Sequence, residues 1–132
     1  MRKDVREMEY FTMNLQPMRH MHQYIPSVAI NGAGLTNDGE AAYRFAQQMF
    51  VAGTEWQRNV IGKVFTDKPK DTDWRNLDNV AFWKALKDAT KRYAIEDDDN
   101  VRTFGAACFK GGKRYCLNTF SALCDDVLKL PF

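Results

Sequence analysis

Gly111 and Gly112 interrupt a run rich in β-branched, aromatic and thiol side chains, and whether that pair bends the chain decides between two fold classes. Residues 101–110 and 113–120 crowd Val, Thr, Phe, Tyr and Cys on either side of it. Two adjacent glycines accept positive φ and so suit the primed two-residue turns that match the right-handed twist of paired strands. The pattern predicts a β-hairpin. The competing reading is a helix that starts at Asp99 or Asn100 and ends at Gly111, followed by a second helix.

Helical periodicity is plainer upstream. Asn37 with Glu40 resembles a capping box, and Ala41, Ala42, Phe45, Ala46, Met49 and Phe50 form one apolar face. Gly53 can end that helix, and Thr54 with Gln57 repeats the capping signal before a stripe of Trp56, Val60, Ile61 and Val64. Two consecutive helices, or one bent at Gly53, both fit. Residues 66–76 mix Pro69 with alternating Lys and Asp and read as a solvated loop. A further helix is expected near Asp78, with Phe82, Trp83, Leu86, Ala89 and Tyr93 toward the core and Lys84, Lys87 and Lys91 outward. Asp88 can support Arg92 one turn on. A last helix is expected over about residues 121–130.

The first 33 residues give a weaker signal. Met8, Tyr10 and Thr12 alternate as in a strand, Met18, Met21 and Tyr24 or Ile25 can line a helix, and Pro17 and Pro26 break any long element. An extended arm followed by a short helix or turn is expected. Asn31-Gly-Ala-Gly is a loop without the glycine spacing or preceding strand of a phosphate-binding turn.

These elements predict a single α+β domain over 1–132, with residues 1–33 as an extended arm. Three or four helices pack on a small antiparallel sheet that includes the C-terminal hairpin; an all-α bundle is the alternative. At 132 residues such a domain buries enough apolar surface to fold without disulfides or metal. Nine Phe, five Tyr and three Trp argue against disorder.

Three cysteines, Cys108, Cys116 and Cys124, lack the paired spacing of zinc sites, so neither a disulfide framework nor a structural metal is expected. No cofactor motif is present. A reducing, cytoplasmic setting fits, because the N-terminal residues lack the apolar core of a signal peptide and nowhere do about 18 apolar residues run together.

A net charge of +2 from 19 cations and 17 anions is too small to mark a nucleic-acid binder, so distribution has to carry that reading. In the hairpin register Lys110 faces Lys113, and Phe109 faces Arg114. Like charges placed opposite one another favour a bound anion, and Phe109 and Tyr115 add flat surfaces on which bases stack. Lys84, Lys87 and Lys91 extend the cationic track. The leading expectation is therefore a small non-enzymatic protein that contacts single-stranded nucleic acid, or a nucleic-acid backbone, through a basic aromatic tip.

The alternative is a protein-binding inhibitor or adaptor. It uses Trp74, isolated in a polar loop, the methionine-rich N-terminus, and the acidic run of Glu96, Asp97, Asp98 and Asp99. A second copy of the chain is also an admissible partner. The acidic run does not match a calcium loop, and as plain structure it caps the element that follows. A third expectation, a small hydrolase or transferase using His20 or His22, lacks a nucleophile with a recognisable motif.

Overall fold

The computed structural model describes residues 15–31, 33, 39–66 and 73–128, with side chains at 15–31, 33, 39–62 and 73–122. Five helices occur among the described residues: α1 (Pro17–Tyr24), α2 (Ser27–Asn31), α3 (Gly39–Thr66), α4 (Trp74–Arg92) and α5 (Asp99–Leu128). No strand occurs among the described residues. The α+β expectation is overturned in favour of the all-α alternative.

Residues 101–120 form the middle of α5, not a hairpin. The buried positions Val101, Gly105, Cys108, Gly112 and Cys116 recur three or four apart, the spacing of one helix face. Glycine costs a helix interior about 1 kcal/mol relative to alanine, which is why a Gly-Gly pair reads as a breaker. Here tertiary packing outweighs that local cost. A Cβ at Gly112 would lie 2.0 Å from the carbonyl oxygen of Phe50, and one at Gly53 would lie 2.0 Å from that of Phe109. Only hydrogen fits between the two backbones, so the glycines mark where α3 and α5 cross.

The same crossing explains why Gly53 does not end a helix. α3 runs unbroken through it, and Thr54, far from capping a new helix, is buried with its hydroxyl donating to the carbonyl of Phe50 at 3.0 Å and that of Gly112 at 3.3 Å.

α3 and α5 form the most extensive interface and run parallel. Phe45 stacks on Phe104 near their N-terminal ends, while Ile61 packs with Cys116 and Phe120 further along. α4 runs back antiparallel to both, so its start meets the later half of α5 through Asp78 and Lys113, and Phe82 meets Phe109 edge-on at 5.7 Å. Up-down-up order with short connections is the usual economy of a helical bundle. The main core gathers Phe45, Met49, Phe50, Leu86, Val101 and Cys108.

α1 closes the remaining side. Pro17 supplies the fixed φ suited to a helix start, Met21 and Ile25 are buried, and Tyr24 packs on Phe50 and Tyr115. The helix expected from the methionine spacing is therefore present, whereas the strand-like alternation at residues 8–12 lies outside the described residues. α4 starts at Trp74 rather than near Asp78, capped by Asp73, whose carboxylate accepts from the backbone N–H of Asn76 at 3.1 Å. It ends in a Schellman motif: Ile95 N–H reaches the carbonyl of Thr90 at 2.9 Å, and Ala94 adopts φ of 51°.

Candidate functional site

The eight residues expected to form a basic aromatic tip and the cationic track beside it are divided by the fold. Phe109 and Tyr115 are 3% and 5% exposed, so neither presents a ring to a base as folded. Tyr115 is stacked against His20, and its hydroxyl accepts from the backbone N–H of Gln16 at 2.9 Å. Lys113 is partly buried; its Nζ donates to both carboxylate oxygens of Asp78 at 3.0 Å and lies 5.4 Å from the Phe109 ring centre. Lys110 and Arg114 lie one turn apart on the outer side of α5, and Lys84, Lys87 and Lys91 on the outer side of α4, all exposed and none in an ion pair among the described residues.

The residues expected to contact a protein partner also sort into different roles. Trp74 is half-buried against Trp56, with ring centres 6.5 Å apart. Asp98 accepts from the backbone N–H of Val101 at 2.8 Å, which makes it the cap of α5. Asp97 accepts from Arg102 at 2.9 Å, and Asp99 lies 3.5 Å from the same guanidinium. The hydrogen bond to Asp97 and its charge hold Arg102 further toward its protonated form than usual. The acidic run thus organises the start of α5.

His20 and His22 do not share a site. His22 is exposed and hydrogen-bonded through Nε2 with Tyr43 at 2.8 Å and through Nδ1 with Ser27 at 3.2 Å. Neither histidine has a carboxylate or thiol within hydrogen-bonding reach among the described residues. Burial pushes the thiols of Cys108 and Cys116 up to about 12 and about 11, so both stay protonated and unreactive. No group of three or more metal-ligating side chains occurs among the described residues, and no described helix is long and apolar enough to cross a membrane.

An open cleft of about 700 Å³ separates α3 from α4 over a floor that includes Ala52, Ala81 and Ala85. Arg44, Lys84 and Arg92 line it together with Glu55 and Asp88, so both signs of charge are present. The side-chain oxygen of Gln48 is buried beside it with no hydrogen-bond partner.

The surface that sequence reasoning missed is the outer face of α4. Trp83 was expected in the core beside Phe82, yet it is 50% exposed. Its ring meets Phe82 edge-on at 5.2 Å and carries the Arg102 guanidinium 5.7 Å from its centre, leaving the rest open. Val80 is 57% and Leu77 39% exposed beside it. Leu77, Val80, Lys84, Lys87 and Lys91 follow one another at alternating steps of three and four, so they form a single stripe opposite the face of the buried Leu86 and Ala89 and the partly buried Phe82. That second stripe was the available signal. The stripe is apolar over its first half and cationic over its second. Comparison with known proteins finds no match, whether to a family model, a curated protein or a solved structure.

Proposed function

We propose that this chain is a non-enzymatic binding module whose partner is another protein, held on the outer face of α4. The observation that carries the reading is the half-exposed Trp83 beside the exposed Val80 and Leu77 on one side of α4. Tryptophan and arginine are the residues most enriched where binding energy concentrates, and Arg102 already lies over the Trp83 ring. A contiguous apolar surface rimmed by charge is the usual mark of an interaction site. A reducing, cytoplasmic setting belongs to the same reading, supported by the free and buried Cys108 and Cys116.

The test is affinity capture from cell extract with the intact chain and its Trp83→Ala variant, at matched thermal stability. A protein retained in stoichiometric amount by the first and lost by the second supports the reading. Equal retention by both, or none by either, sinks it.

The exposed cations Lys84, Lys87, Lys91, Lys110 and Arg114, free of ion pairs among the described residues, favour contact with a nucleic-acid backbone as the second reading. With Phe109 and Tyr115 buried, such binding is electrostatic alone, and its affinity for a single-stranded oligonucleotide falls steeply with salt.

A further inference from the structure

The stripe on α4 has a polarity. From Leu77 to Lys91 it spans fifteen residues, about 21 Å of helix, with Leu77 and Val80 at the start, Trp83 beside them, and Lys84, Lys87 and Lys91 toward the end. Asp88 borders the lysines on the cleft side but pairs with none of them among the described residues. An occupant that covers the whole stripe has to supply apolar side chains at one end and carboxylates at the other.

A second copy of the chain fails that requirement in either orientation. Pairing α4 with α4 in parallel sets lysine against lysine. Antiparallel pairing sets the lysines of one copy against Leu77 and Val80 of the other. The acidic residues 96–99 do not help, because they lie beyond the C-terminal end of α4, where Asp97 and Asp99 already hold Arg102.

We infer that the outer face of α4 receives an amphipathic helix of a different protein, running antiparallel to α4, acidic in its N-terminal half and apolar in its C-terminal half. This rests on the proposed docking role of α4. Charge complementarity with Lys84, Lys87 and Lys91 selects the acidic half. Carboxylates stabilise the N-terminal turns of the helix that carries them, and antiparallel helix dipoles attract, so the acidic half is the N-terminal one.

The experiment titrates the full chain with labelled synthetic helical peptides and reads anisotropy. One peptide is acidic then leucine-rich, one has the halves in reverse order, and one carries lysine in place of every glutamate. The acidic-first peptide binds about tenfold tighter than the lysine peptide and about threefold tighter than the reversed one. The triple variant Lys84→Glu, Lys87→Glu, Lys91→Glu, all at exposed positions, inverts the preference for acid over base. Equal affinity for acidic and lysine peptides, no binding of any peptide, or indifference to the triple variant overturns the inference. So does a dT20 oligonucleotide that binds the face more tightly than the acidic-first peptide, or self-association in sedimentation that is lost in the triple variant. Loss of a captured protein with Trp83→Ala but not with the triple variant leaves the docking role standing and removes only this inference.

Discussion

Gly112 of α5 presses against the backbone of Phe50 in α3 so closely that a Cβ would stand 2.0 Å from the Phe50 carbonyl oxygen. The neighbouring Gly111 is placed differently: its Cβ would meet side-chain atoms of Phe50 and Tyr24 at 3.4 Å, an ordinary contact. Adjacent glycines are therefore expected to respond to the same substitution with opposite signs. Gly112→Ala forces two backbones apart and costs about 3 kcal/mol. Gly111→Ala meets no such obstacle and gains up to about 1 kcal/mol of helix propensity. Urea unfolding of the two variants checks this, and destabilisation by both to a similar degree contradicts the crossing.

The end of α4 offers a stabilising change. Ala94 occupies a left-handed conformation with φ of 51° that closes the Schellman motif. An L side chain is strained there, whereas glycine is not. Ala94→Gly is expected to raise stability by about 1 kcal/mol, read as a higher urea midpoint with unchanged slope. A lower midpoint counts against the motif.

Lys113 and Asp78 tie the start of α4 to α5 through a partly buried pair at 3.0 Å. A double-mutant cycle with alanine at each position should give a coupling of about 1 kcal/mol that shrinks in high salt. The same cation stood at the centre of the tip expected from sequence. In the fold it serves the bundle, so Lys113→Ala lowers stability and leaves partner affinity unchanged.

Cys108 gives a signed pH dependence. Its thiol is pushed up to about 12 by burial, while in the unfolded chain it titrates near the ordinary value of about 8.5. Above that value the unfolded state has released a proton that the folded state keeps, so stability falls as pH rises, by up to about 1.4 kcal/mol per pH unit from this group. Below the ordinary value the stabilisation is complete. Between pH 9 and 11 the slope should therefore be negative and shallower in Cys108→Ala, a variant that removes the titrating group; the same slope in both proteins refutes the assignment.

The parts of the fold written in side-chain period were legible. Of the apolar face Ala41, Ala42, Phe45, Ala46, Met49 and Phe50, the last five are buried and Ala41 is partly buried. Two glycine signals misled, and for one reason: Gly53 and Gly112 are placed by a contact some sixty residues away in sequence, and local propensity carries no trace of it. The tryptophans divide for a related reason. Trp74, in what reads as a polar loop, lies at the first position of α4 and finds Trp56, while Trp83 sits at the margin of the buried face of α4 and is left half-open. Hydrophobicity marks both as large apolar side chains; only the position of the neighbouring helices decides which one is covered.

The most direct measurement is the affinity of a captured partner protein for the intact chain and for Trp83→Ala, with thermal unfolding recorded in parallel. Loss of a central aromatic contact predicts about a thirtyfold weaker Kd, with little change in Tm because the side chain is half-exposed. An unchanged Kd, or a loss of affinity that merely follows a loss of folded protein, would contradict the assignment of α4's outer face as the binding surface.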